Sequence, residues 1–287
     1  MQVTRRFHGP SDLHLHSVHS DGTESAALVV AAAHRQGLRT LALTDHDTTS
    51  GWAEAADAAT SLGMTFLPGM ELSARHEWRS VHVLAYLFDP DEPKLRAMTD
   101  RIRSSRMERA RVMVDRISHD YDLDWDDVLA QTEVDATVGR PHIADALIAK
   151  GHVQDRTEAF SDILSPGGDY YVALYAPDPV VAVSLVVGAG GVPIIAHPAG
   201  RAGLLPMPLM TRLLDAGLAG FETEHRENLT AGVRTLRRIV AEHDLITTGS
   251  SDYHGLGKPN VPGENTTSDE MVARIIDRAT GNAPVYP

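Results

Sequence analysis

The 287-residue sequence predicts an α/β domain of parallel strands covered by helices, interrupted by a mainly helical insertion. Three observations carry that expectation. Short apolar runs alternate with helix-like segments over residues 11–88 and again from 179 onward. Charged helical sequence replaces the alternation over 90–178. Histidines and carboxylates recur where the apolar runs end, and in a closed parallel barrel the carboxyl ends of the strands meet on one face. The predicted division is therefore a barrel built from 1–89 and 179–287, with 90–178 inserted over its site.

The first strand begins Asp12-Leu13-His14-Leu15-His16. Side chains at i and i+2 point the same way in an extended strand, so His14 and His16 can meet one ion while Leu13 and Leu15 pack behind. Asp12 is in phase and is expected to orient them. Two surface histidines on an edge strand are the alternative. Ser20-Asp21-Gly22 adds a second carboxylate.

Residues 24–35 read as a helix, with Thr23 or Ser25 as its N-cap and Gly37 as its stop. A buried strand over 40–44 ends in Asp45-His46-Asp47. Asp47 is expected to cap the next helix, about 50–62; His46 is the ligand candidate, because a cap has no use for an imidazole. The strand over 64–71 ends in Gly69-Met70-Glu71, whose carboxylate can bridge two ions through its two oxygens. The next, over 81–88, is read as parallel and carries His82 on a face shared with Leu84 and Tyr86. A hydrogen-bonded core histidine is the alternative for it.

The insertion opens with a long helical stretch whose arginines at 101, 103, 106, 109 and 111 read as a solvated face, because Met107, Glu108 and Val112 interleave them. Shorter helical pieces follow, broken at Gly139, Gly151 and Pro166-Gly167-Gly168. Gly139-Arg140-Pro141-His142 starts one of them. An arginine at a helix start suits phosphate recognition; His142 either joins it or merely packs. Helix and strand then alternate from 179, and a buried strand over 192–196 delivers His197, with Arg201 four residues on. Glu222 and His225 follow the next strand and are weaker candidates. Asp252 and His254 repeat the i, i+2 spacing after the last strand.

There is no cysteine, which excludes disulfides, thiolate sites and cysteine nucleophiles and leaves any metal to nitrogen and oxygen ligands. The formal net charge of -13 opposes broad attraction to a nucleic-acid backbone or an acidic membrane. An anionic substrate then needs local positive charge, which divalent cations can supply. Residues 1–10 are short and polar, and no apolar run approaches the roughly 20 residues of a membrane span. The expectation is a cytoplasmic protein with no membrane contact and no obligate protein partner.

Together these motifs resemble the PHP (polymerase and histidinol phosphatase) family of metal-dependent phosphoesterases. The resemblance implies a distorted seven-stranded (β/α) barrel with two or three divalent ions, manganese, iron or zinc. His14, His16, Glu71 and Asp252 would hold one; Glu71, His82 and His197 a second; Asp21, His46 and His254 a third. His142 stands as an alternative to His197. A hydroxide bridging two ions is expected to attack phosphorus in line, with Arg140 and Arg201 stabilising the phosphoryl oxygens. His225 or His197 would protonate the departing oxygen, and His142 and His225 would touch the substrate.

Gly139-Arg140-Pro141-His142 is most similar to the branch acting on nucleoside 3',5'-bisphosphates and cyclic phosphates, so the expected substrate is a small phosphorylated nucleotide. The rivals are a 5'-to-3' exonuclease on short oligonucleotides, a histidinol-phosphatase-like monoesterase and a catalytically silent metal-binding regulatory domain.

Overall fold

The computed structural model describes residues 9–133, 136–200 and 202–287. Seven strands lie side by side in chain order: β1 (Ser11–Leu15), β2 (Thr40–Leu43), β3 (Thr65–His76), β4 (Arg79–Tyr86), β5 (Val192–Ile195), β6 (Gly220–Glu224) and β7 (Ile246–Gly249). The sheet curls until Leu15 bridges Tyr253 and Ser11 bridges Thr267, and the His16 N–H donates to the Tyr253 carbonyl at 2.9 Å. These contacts bring both ends of the sheet together as a nearly closed barrel.

One strand departs from the expected parallel order. β1, β2 and β3 are parallel, as are β5, β6 and β7, but β4 is antiparallel to both of its neighbours. The cause is local. Only Glu77 and Trp78 separate β3 from β4, too few for a crossover helix, and Glu77 takes a positive φ of 54° in the turn. His82 therefore sits near the start of its strand, paired with Ser73. Reversal brings it to the barrel end where the parallel strands finish.

The barrel is filled by Leu13, Ala42, Leu67, Leu84, Ile194 and Ile246, one residue from each of six strands. Outside, α1 (Ala26–Arg35) and α2 (Trp52–Ser61) pack on Leu15, Leu41, Leu43 and Phe66. Ser25 caps α1 by accepting from the Leu28 N–H, and Gly37 ends that turn at φ +82°. Strands covered on both faces need apolar residues throughout, which is why β2 and β5 read as unbroken apolar runs.

The insertion comprises α3 (Pro93–Ile117), α4 (Trp125–Leu129), α5 (Arg140–Ala149) and α6 (Arg156–Ser161). Its own apolar cluster joins Met113, Ile117, Val128, Ile143, Leu147 and Leu164. The first half of α3 instead places Leu95 and Ile102 in the barrel's cluster. The arginines of α3 do not form a solvated face. Arg109 is buried, Arg106 is half-buried, and the exposed Arg101 and Arg111 lie 3.9 and 4.4 Å from the rings of Tyr175 and Trp125. The barrel is completed by α7 (Pro179–Gly188), α8 (Met207–Asp215), α9 (Thr230–His243) and α10 (Asp269–Arg278). Among the described residues no helix is long and apolar enough to cross a membrane.

Candidate active site

At the finishing end of the parallel strands, Glu71 is the point on which the imidazoles converge. Its Oε2 lies 3.2 Å from His14 Nε2, 3.1 Å from His16 Nε2 and 3.3 Å from His46 Nδ1. Its Oε1 lies 2.7 Å from His82 Nδ1 and 3.4 Å from His197 Nε2. Asp252 Oδ1 faces the same two nitrogens from the other side, 3.4 Å from His14 and 3.3 Å from His16. Asp21 completes the row, 3.1 Å from His254 Nε2 and 3.7 Å from His46 Nε2.

Three sets of donor atoms are compact enough to hold an ion: His14, His16, Glu71 and Asp252; His46, Glu71 and His82; and His16, Asp21, His46 and His254. The first matches the expected set, and the third adds His16 to it. The second has His46 where His197 was expected, although His197 also reaches Glu71.

Hydrogen bonds sort the histidines by tautomer. His14 donates from Nδ1 to Glu222 Oε1 at 3.0 Å, and His254 donates from Nδ1 to the Asp252 carbonyl at 2.9 Å. His16 Nδ1 lies 3.4 Å from Ser20 Oγ, whose own hydroxyl is given to Asp45. Each ring therefore turns an Nε2 lone pair inward, the arrangement of a metal-ligating imidazole. His142 and His225 do the opposite. Their Nδ1 atoms accept from the N–H groups of Gly139 and Glu227, so their Nε2 atoms carry protons and offer donors instead.

The inward nitrogens are also orphans. The Nε2 atoms of His14, His16 and His254 and the Nδ1 of His46 are buried without a well-formed hydrogen bond. A buried polar atom without a partner costs stability; oxygen and nitrogen lone pairs aimed at common points suit a divalent cation. The residues present fit that group.

Charge follows the geometry. Burial alone would push the Glu71 carboxyl up, but His82, His46 and His14 hold it well below the usual range. Burial likewise opposes the charge on Asp252, which Lys258, His254 and His14 restore. Burial would lower the His14 imidazole, yet Glu71, Glu222 and Asp252 hold it well above its ordinary value. Glu222, buried against His14 and His225, is held at about 2.

Several supporting residues carry no pattern of their own. Glu222 not only fixes His14 but accepts the His197 N–H at 2.8 Å, holding His197 at φ 29°. Asp12, expected behind the imidazoles, touches neither ring; it accepts from the backbone N–H groups of Ser251 and Gly263 and fixes the Asp252 loop. Asp47 does not cap α2. It accepts from Ser73 and from Arg106 Nε at 2.9 Å, tying the insertion to the residue beside His46. Lys258 reaches Asp252 Oδ2 at 2.6 Å. Arg140 donates to the Leu164 carbonyl near Arg109, away from Glu71. Arg201 lies outside the described residues. A cleft of about 480 Å³ between the loop after β1 and the insertion is lined by Thr23, Gln131, His142 and Asp145.

A barrel mouth that gathers unpaired imidazole nitrogens around shared carboxylates defines a metal-dependent phosphoester hydrolase, and comparison with known proteins agrees. The PHP domain family matches residues 12–157. The chain is 34% identical over 251 residues to the 3',5'-nucleoside bisphosphate phosphatase of Chromobacterium violaceum, covering 86% of this chain and 88% of that protein. It is 32% identical over 250 residues to a 5'-3' exoribonuclease of Haemophilus influenzae, covering 85% and 89%. A metal-dependent phosphoesterase from Bifidobacterium adolescentis has a solved structure similar to this one with a TM-score of 0.92 at 41% identity, covering 95% of this chain and 98% of that one. The chain belongs to the PHP domain family.

Proposed function

We propose that the protein hydrolyses a phosphoester of a small nucleotide, a nucleoside 3',5'-bisphosphate or a cyclic phosphate. The observation that carries this reading is the convergence of orphaned imidazole nitrogens on Glu71 and Asp252. Ions held by His14, His16, Glu71 and Asp252, by Glu71 with His82, His46 and His197, and by Asp21 with His46 and His254 would acidify water and offset phosphoryl charge. Manganese, iron and zinc all suit these donors.

The chain's own residues divide the remaining work. Glu222 holds the His14 tautomer, so the ring presents a lone pair at no further cost of ordering. His225 carries its Nε2 proton 3.8 Å from Asp252 Oδ2, where that N–H can donate to the departing oxygen. A second proton on Nδ1 would displace the Glu227 N–H, so His225 acts as a neutral donor. His197, facing Glu71, serves as a ligand. His142 offers its Nε2 proton into the cleft, and the insertion, residues 90–178, roofs the site and limits water. Arg140 supplies charge for a phosphate.

The cleft favours a single nucleotide over an oligonucleotide. Its volume of about 480 Å³ suits one nucleoside, and Glu133 on its lining repels a longer phosphate backbone. The test is a panel of adenosine 3',5'-bisphosphate, cyclic phosphates, histidinol phosphate and 5'-phosphorylated dinucleotides with metal-loaded protein. A Glu71→Ala variant should lose about a thousandfold in kcat/KM, as expected when several kcal/mol of charge stabilisation goes. Turnover of the dinucleotide without the bisphosphate would replace this reading with the exonuclease; no turnover of any would support the regulatory domain.

A further inference from the structure

We infer that Lys258 is a positioning residue for the hydrolysis: by taking Asp252 Oδ2 it leaves Oδ1 to an ion and the Nε2–H of His225 to an oxygen of the substrate. The inference rests on the phosphoesterase reading and gives a role to a side chain that belongs to no motif.

The two oxygens of Asp252 have different surroundings. Oδ1 faces His14 Nε2 at 3.4 Å and His16 Nε2 at 3.3 Å, within one of the compact donor sets. Oδ2 accepts from Lys258 Nζ at 2.6 Å, a short, charge-assisted bond. A carboxylate tied at one oxygen presents the other as a single donor and does not swing round to chelate with both.

His225 shows what the arrangement keeps open. Its side chain is fully buried, and its Nε2 lies 3.8 Å from the same Oδ2, beyond hydrogen-bond reach. That N–H has no partner among the described residues, although a buried donor beside a carboxylate is ordinarily satisfied by it. Here the ammonium draws the oxygen to its own side. The His225 N–H is left for a group that arrives with the substrate.

The backbone fixes Lys258 in this place. After His254 the chain makes one 3₁₀ turn over Gly255–Gly257 and doubles back toward Asp252. Gly255 takes φ +64°, and a Cβ there would collide with Thr23 Oγ1, as one at Gly257 would with Arg156 Nη1, so glycines alone pass between the loop after β1 and the insertion. Asn260 Nδ2 then donates to the Ser251 and Asp252 carbonyls and closes the loop. Lysine suits the position better than arginine: a compact ammonium binds one oxygen, whereas a guanidinium fork takes both.

The experiment compares wild type with Lys258→Met, which keeps the stem, and Lys258→Arg, which keeps the charge. Thermal denaturation with manganese present first confirms that each variant folds. In calorimetric titration with manganese, Lys258→Met should bind the ion about tenfold more tightly, because a like charge is gone from beside a ligand. Lys258→Arg should bind it about tenfold more weakly, because the fork competes for Oδ1. Any other order of affinities overturns the inference.

Kinetics at saturating manganese supply the second readout. On adenosine 3',5'-bisphosphate, kcat should fall about 10–100-fold in Lys258→Met with KM little changed, the usual range for a partner behind a functional group. Adding Lys258→Met to His225→Gln should bring no further loss, because the lysine acts through that histidine; losses that multiply overturn the inference. Wild type that hydrolyses no phosphoester refutes the phosphoesterase reading, and the order of ion affinities then decides the role of Lys258 by itself.

Discussion

His14 donates its Nδ1 proton to Glu222 Oε1 at 3.0 Å across 208 residues of sequence. The bond chooses which nitrogen of the first strand's histidine faces the site, and the same carboxylate anchors the His197 N–H. Glu222→Gln should therefore lower metal affinity or activity by about 10–100-fold, the usual cost of losing a partner behind a ligand. Inductively coupled plasma analysis after dialysis, alongside kinetics, checks it. Full metal content and full activity would remove Glu222 from this role.

The Arg106–Asp47 pair, 12% and fully buried at the side chains, holds the insertion to the barrel. Breaking a buried pair on one side leaves the other charge uncompensated. Asp47→Ala should destabilise by about 3–5 kcal/mol, read as the shift in urea midpoint at unchanged slope. The paired change Asp47→Ala with Arg106→Met should recover part of that loss. Failure to recover any of it would mean that the Ser73 bonds, and not the ion pair, carry the stability.

Protons compete with the metal. Glu71, Glu222 and Asp252 hold His14 well above its ordinary value against the opposing effect of burial, and His16, likewise buried but faced by Asp252 and Glu71, rises to about 9. At pH 7 without metal both rings are protonated, so an ion must displace protons and its apparent affinity should climb as pH approaches 9. The paired imidazolium stabilises the metal-free fold fully below the ordinary 6.5 and is lost as pH rises through about 9. Calorimetry at pH 7 in two buffers of different ionisation enthalpy should show at least about one proton released per ion bound. No buffer dependence would contradict the assigned protonation.

His225 should matter in proportion to how much help the leaving group needs. His225→Gln should slow a nucleotide alkoxide leaving group by about 100-fold or more, within the range of a positioned proton-sharing group, and slow p-nitrophenolate little. Equal losses on both substrates would place His225 in binding and not at the departing oxygen.

Metal removal should act on the fold as well as on turnover. Four of the nitrogens aimed at the ion positions, those of His14, His16, His46 and His254, are buried without hydrogen bonds, so an ion at about 100 times its dissociation constant should add about 2.7 kcal/mol. Chelation should lower Tm accordingly. A Tm unmoved by chelator would show that the cluster is rigid without metal.

The alternation of strand and helix was legible because both faces of each strand are covered, so β2 and β5 are apolar without interruption. The paired spacings at His14 and His16 and at Asp252 and His254 were legible for a geometric reason: extended backbone turns i and i+2 the same way. The direction of β4 was hidden. Its sequence is as apolar as a parallel strand, and only the shortness of the Glu77-Trp78 turn records the reversal. Asp47, Glu222 and Lys258 were under-read because a carboxylate or ammonium at a loop entrance looks the same in sequence whether it meets water or a buried partner. The arginines of α3 misled for a related reason. Guanidiniums lie at the ends of long stems, and residue spacing says where a stem starts, not where its charge stops.

Glu71 has two carboxylate oxygens and five imidazoles around them, Oε2 serving His14, His16 and His46 and Oε1 serving His82 and His197. Ions sharing that carboxylate are thermodynamically linked: the first to arrive fixes its torsion and relieves the second of that ordering, while any later ion meets a carboxylate already partly neutralised. By reciprocity the same coupling governs departure. Metal occupancy in this protein would then be a collective property of the barrel mouth, the retention of each ion depending on whether its neighbours are in place.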